Sequence, residues 1–123
     1  MFFLSDDTIH NIVYHTDKWC IKNLGYKKGL VIEITKQKFW TKPCFGGYDE
    51  INRHLYVYTN RCDNIGELIK TVLHEYTHHL QDLRNYDKLL KKYGYDNHPH
   101  ELEANEVAFT HYKSVWKEIK NRI

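Results

Sequence analysis

The chain has 123 residues and a formal net charge of +2, and 41% of its residues are hydrophobic, 15% aromatic and 28% charged. This size and composition predict one globular domain, residues 1–123, with a modest hydrophobic core. The basic residues are scattered rather than clustered, which argues against nucleic-acid binding. No run approaches the roughly 18 apolar residues that predict a membrane span.

The cysteines and the first residues bear on the cellular compartment. Cys20, Cys44 and Cys62 are odd in number and widely spaced, which predicts reduced thiols rather than a disulfide framework or a thiolate zinc site. The apolar residues 1–4 meet a polar segment too early to form the hydrophobic region of a secretion signal. We therefore expect a soluble, cytoplasmic protein, located in the host cytoplasm if the chain is viral.

The first half of the chain predicts one helix and two strands. Ser5 can cap a helix over about residues 6–23, and Gly25 is a natural stop. Residues 29–35 and 52–59 are short and rich in β-branched or aromatic residues, so we expect two strands that pair as a small antiparallel sheet. The intervening stretch contains Pro43, Gly46 and Gly47, which predicts a turn.

The second half predicts three helices. Asp63 or Asn64 can cap a long helix over residues 65–84, and a short helix over 86–93 stops at Gly94. Pro99 can occupy the first turn of a last helix that reaches about residue 121. Ala104 and Ala108 would let a second helix approach this last helix closely. Its main apolar stripe is predicted to consist of Leu102, Phe109, Tyr112, Trp116, Ile119 and Ile123.

Residues 74–78 read His-Glu-Tyr-Thr-His inside the predicted long helix. Because positions i and i+4 share a helix face, His74 and His78 can direct two imidazoles at one ion, and this geometry suits Zn²⁺. Glu75 projects beside the metal and can take the proton of a metal-bound water. His79 points about 100° away from His78, so we do not expect it to be a ligand.

A catalytic zinc usually has three protein ligands and an open position for water, so a third ligand is needed downstream. The metzincin pattern is absent, because Gln81 stands where that pattern requires Gly. The donors that remain lie in a later polar segment, and ligand type alone does not choose among them. They are Glu101, Glu103, Glu106, His98 and His100.

The pair Glu103-Ala104 resembles the Glu-Ala of gluzincins, which combine H-E-x-x-H with a Glu from a later helix. The longer pattern E-x-E-A-N in residues 101–105 is similar to that of small phage and bacterial zinc peptidases, which cleave repressors or act in stress responses. The resemblance covers about residues 52–110. It implies a minimal zincin-like α+β fold with Glu103 as the third ligand. Glu106, one turn further, is then a candidate partner that orients a ligand His.

These residues predict a zinc-dependent metallopeptidase that hydrolyses peptide bonds of a protein substrate through a metal-activated water. The strand over residues 52–59, if it is an exposed edge, could hold an extended peptide by main-chain hydrogen bonds. The alternative is a zinc-binding regulatory or protein-binding module without significant turnover.

Overall fold

A computed structural model describes residues 4–123, which form four α-helices and a three-stranded mixed sheet. The predicted α+β class is confirmed. The elements are α1 (Asp6–Asn23), β1 (Val31–Thr35), β2 (Gly46–Asp49), β3 (His54–Tyr58), α2 (Ile65–Leu80), α3 (Tyr86–Tyr93) and α4 (Pro99–Ile119), followed by a 3₁₀ turn at Lys120–Arg122. Within the described residues, no helix is long and apolar enough to cross a membrane. Three of the four apolar residues at the start, residues 1–3, on which the prediction of no secretion signal rests, lie outside the described part of the chain.

The helix boundaries follow from local hydrogen bonding. The Ser5 side chain accepts from the backbone N–H of Thr8 at the start of α1. At α2, the Asn64 side chain accepts from the N–H of Glu67, and the Glu67 carboxylate accepts from the N–H of Asp63, the residue before the cap. α2 ends at Leu80, four residues before the predicted end, because residue 81 adopts an extended backbone with φ −77° and ψ 154°.

The sheet has the order β1-β3-β2, so β3 is the central strand. The prediction that the strands over 29–35 and 52–59 pair antiparallel is wrong, since β1 and β3 run parallel. The reason is a third strand, β2, which lies between them in sequence where only a turn was predicted. β2 pairs antiparallel with β3, so the chain reverses direction twice and β3 regains the direction of β1.

The turn between β2 and β3 lacks glycine. Its reversal depends on Asp49, whose side chain accepts from the backbone N–H groups of Ile51 and Asn52. Arg53 closes the turn with a positive φ of 54°. The strand order leaves β1 and β2 at the two edges of the sheet.

α2 is the central helix, and it packs against α1, α4, β2 and β3. Its contact with α4 depends on Ala104 and Ala108, both buried, whose small side chains let the two helices approach closely. The predicted apolar stripe of α4 is therefore wrong in its first half. Leu102 and Phe109 are 50% and 73% exposed, and the inward face carries the two alanines instead.

His79 has a structural role in the core. It is fully buried, its Nε2 donates to the carbonyl of Lys27 at 2.7 Å, and its Nδ1 accepts from the hydroxyl of Tyr48 at 2.9 Å. These two bonds account for both ring nitrogens. His79 therefore ties α2 to β2 and lies outside the group of metal donors, as expected.

Candidate metal centre

His74 and His78 lie on one face of α2, one turn apart. Their ring centroids are 4.9 Å apart and their planes are nearly perpendicular, at 84°. The side chain of His74 is 17% exposed and that of His78 is 8% exposed. The predicted pairing of two imidazoles near the end of this helix is thus present, with His74 nearer to solvent.

The third group at this place is the carboxylate of Glu101, in the first turn of α4. Its Oε1 lies 3.0 Å from His74 Nε2 and 3.1 Å from His78 Nε2. Zinc bonds of about 2.05 Å in a tetrahedron separate two donor atoms by about 3.3 Å, so these distances are within a few tenths of an ångström of that geometry. His74, His78 and Glu101 form a group that could hold a metal ion.

Glu103, expected as the third ligand, is not brought to the His pair. Its side chain is exposed and accepts from Gln81 Nε2 at 2.7 Å. At 100° per residue, Glu103 lies about 200° around α4 from Glu101. Glu101 shares the inward face with Ala104, so close packing of the two helices aims Glu101 at the imidazoles. The resemblance to gluzincins pointed to this part of α4, and the structure brings Glu101 rather than Glu103 to the His pair.

The other candidates of this segment also lie apart from the donor group. Glu106 is exposed, and within residues 4–123 it makes no hydrogen bond to His74 or His78, so its expected orienting role is not observed. His98 is fully buried as the N-cap of α4, where its Nδ1 accepts from the backbone N–H of His100. Its Nε2 donates to the carbonyl of Tyr86, so both ring nitrogens of His98 are hydrogen-bonded to backbone groups.

Glu75 lies beside the three donors without being one of them. Its Oε1 is 3.6 Å from His74 Nε2, and the residue is only 6% exposed. Within the described residues its Oε2 is buried without a hydrogen-bond partner. An orphaned carboxylate oxygen is costly unless a water, an ion or a ligand completes its bonding. The unpartnered Oε2 of Glu75 is therefore the feature that best fits a water, an ion or a ligand bound at this site.

The charges of the site are strongly coupled. Burial favours the neutral form of Glu101, but hydrogen bonds from His74, His78 and Tyr86 outweigh it and hold the pKa of Glu101 below its ordinary value. Burial lowers the pKa of His78, and the Glu101 and Glu75 carboxylates more than reverse this, so the net direction is upward. Burial raises the pKa of Glu75.

Tyr86 and Gln81 belong to the site and have no motif that could have identified them. The Tyr86 hydroxyl donates to Glu101 Oε2 at 2.5 Å, which leaves Oε1 directed at the imidazoles. Gln81 Oε1 lies 2.6 Å from His78 Nδ1. Both residues follow α2 closely in sequence, but their roles depend on the path of the chain from α2 to α4.

A cavity of about 580 Å³ opens beside His74 and Glu75. This volume is within the range of ligand-binding pockets. The start of β2 forms one wall and α4 forms another, and Phe45, Phe109 and Tyr95 line it with partly exposed aromatic rings. His74 and Glu75 are therefore accessible from a cleft large enough for a side chain of a bound molecule.

No protein-family model matches this chain, and the comparisons with curated proteins and with solved structures give no significant match. The site is accordingly interpreted from its own geometry.

Proposed function

We propose that the chain is a zinc-dependent metallopeptidase that hydrolyses peptide bonds of a protein substrate. The observation that carries the proposal is the arrangement of Glu75 beside the donor group. Two imidazoles and one carboxylate converge, and a separate carboxylate has a buried oxygen without a partner next to them. A metal-binding group explains the first feature, and a reacting water beside the metal explains the second.

The donor set favours a catalytic zinc site over a structural one. Structural zinc sites usually have four protein ligands, commonly with cysteine, whereas catalytic sites have three and an open position. Two His and one Glu are one of the ligand sets found in zinc peptidases. Imidazole also suits copper, nickel and iron, so the ion itself needs a direct measurement.

A bound zinc ion would supply a Lewis acid that polarises a substrate carbonyl and lowers the pKa of water to about 7. The ligands His74, His78 and Glu101 would hold it at the wall of the cavity. Glu75 would accept the proton of the attacking water on its carboxylate and return this proton to the leaving amine. Hydrolysis then needs no other acid or base.

The substrate is proposed to be an extended segment of polypeptide that adds to the outer side of β2. The central strand β3 cannot serve as expected, because both of its sides are paired. β2 is an edge strand, and its first residue Gly46 and the preceding Phe45 line the cavity. Main-chain hydrogen bonds to an edge strand would hold a peptide, and the aromatic walls would receive an apolar side chain.

The test compares the wild-type protein with Glu75→Gln, both loaded with zinc and measured for metal content. Each is incubated with a mixture of unstructured peptides, and new termini are detected by mass spectrometry. We expect cleavage by the wild type and a loss of at least about 100-fold in Glu75→Gln at equal zinc content, because proton transfer contributes 10²–10⁴-fold.

Two results would contradict the proposal. Equal cleavage by both proteins would exclude Glu75 as the base and point to a contaminating protease. Stoichiometric zinc in a wild-type protein that generates no new termini would favour the alternative of a zinc-stabilised binding module.

A further inference from the structure

We propose that Gln81 and Glu103 form a positioning chain that fixes the tautomer and the orientation of His78. This inference depends on the proposed metal site, because His78 is useful as a ligand only with its Nε2 directed at the ion. The chain runs from His78 Nδ1 to Gln81 Oε1 at 2.6 Å, and from Gln81 Nε2 to Glu103 Oε1 at 2.7 Å. Gln81 and Glu103 touch no ion, so they would act through His78.

The direction of each hydrogen bond follows from the acceptors around Gln81. Its amide nitrogen faces two groups that can only accept, the carboxylate of Glu103 and the carbonyl oxygen of His100 at 3.0 Å. The amide is therefore oriented with its oxygen toward His78. An amide oxygen can only accept, so Nδ1 of His78 must carry the hydrogen.

A hydrogen on Nδ1 leaves Nε2 as the nitrogen that binds a metal. Partners of this kind fix the tautomer and the ring plane of a ligand His, and their loss typically lowers metal affinity 10–100-fold. The end of α2 allows the contact, because Gln81 has an extended backbone directly after the helix. Its side chain can then bridge from His78 to the first turns of α4.

This arrangement assigns a role to Glu103 that differs from ligation. Its carboxylate selects which end of the Gln81 amide faces His78. A carboxylate in place of the amide would remove this selection. In Gln81→Glu, one oxygen could still accept from His78, but the other would lie against the oxygens of Glu103 and His100, and both contacts would be repulsive.

The first experiment measures zinc affinity by competition with a chromophoric chelator in four variants. We expect Gln81→Leu and Gln81→Glu to bind zinc about 10–100-fold more weakly than the wild type. Glu103→Gln should weaken zinc binding less than either Gln81 variant, since its amide can rotate to present an oxygen to Gln81 and the His100 carbonyl still accepts from the Gln81 amide. The double variant Gln81→Glu with Glu103→Gln should recover part of the loss, because the new amide can donate to the new carboxylate.

The matched control is Glu106→Gln, on the same helix and without a hydrogen bond to Gln81 among the described residues. It should leave zinc affinity unchanged and should not rescue Gln81→Glu. An affinity of Gln81→Glu close to the wild-type value would overturn the proposal. Equal rescue of Gln81→Glu by Glu103→Gln and by Glu106→Gln would also overturn the proposal, because it would indicate a general charge effect.

A second experiment uses only the wild-type protein and requires no enzymatic activity. In the wild-type protein, proton NMR should show a hydrogen-bonded Nδ1–H resonance of His78 that exchanges slowly with water, with zinc or without it. An unprotected Nδ1–H would overturn the positioning chain. A protected Nδ1–H in a protein that binds no zinc would leave the chain intact and refute the metal site of the proposed function.

Discussion

Replacing Glu101 by glutamine tests the metal centre most directly. Apparent free energies of about 10–16 kcal/mol for zinc held by four protein ligands correspond to about 3 kcal/mol for each ligand. Loss of one ligand of that strength raises the zinc Kd by roughly 100-fold. The amide retains the volume of the carboxylate but presents a neutral oxygen, so we expect a Kd increase of about this size.

The substitution also changes the metal-free protein. Glu101 Oε1 lies within 3.1 Å of both imidazoles, and Oε2 accepts from Tyr86 at 2.5 Å. Breaking a buried ion pair of this kind costs about 3 kcal/mol or more of folding stability, and the hydrogen bonds of an amide recover part of that loss. Unfolding by denaturant without metal therefore has to accompany the zinc titration, so that lost ligation is separated from lost folding.

The assay is a zinc competition titration of Glu101→Gln, with Glu106→Gln as the matched carboxylate control from the same helix. The control should bind zinc like the wild type. A Kd of Glu101→Gln within about threefold of the wild-type value would refute Glu101 as a ligand, because that change is below 1 kcal/mol. If Glu103→Gln lost zinc affinity strongly and Glu101→Gln did not, Glu103 would be the third ligand.

Three further predictions concern the stability of the fold that carries the site. Ala104→Leu should destabilise the protein by about 1–3 kcal/mol in urea unfolding, because it overfills the contact between α2 and α4; unchanged stability would refute the close approach. Gly46→Ala should destabilise it strongly, since the added Cβ would overlap the Tyr56 carbonyl oxygen and the Thr71 side chain; a wild-type melting temperature would contradict this contact. Burial raises the pKa of Asp17, so its ionisation opposes folding above the unfolded pKa. Asp17→Asn should therefore raise the melting temperature at pH 7 and not at pH 3, and an equal effect at both would refute the assignment.

The helices could be predicted because their signals are local. Ser5 and Asn64 cap the helices that follow them, and the period of apolar residues identifies each helix, although for α2 it continues past the observed end at Leu80. The His pair could be predicted for the same reason, since spacing i and i+4 determines its geometry inside any helix. These features need no knowledge of what packs against the helix.

The strand β2 and the identity of the third metal donor could not be predicted from the sequence, because both depend on contacts between distant segments of the chain. β2 begins with Gly46 and Gly47, which have low strand propensity, and its pairing with β3 determines the strand. Glu101 and Glu103 are two residues apart, and both are near the start of a helix. Which one faces the imidazoles depends on the rotation of α4, and that rotation depends on the fit of Ala104 against α2.

The two helix ends that meet at the site favour the proposed charges. His78 lies in the last turn of α2, where the partial negative charge of the helix end favours a cation. Glu101 lies in the first turn of α4, where the partial positive charge favours a carboxylate. Each effect is worth about 0.3–1 kcal/mol and fades within one turn. Glu106 is beyond that turn, so the helix dipole and the packing of α4 both favour Glu101 as the carboxylate of the candidate metal centre.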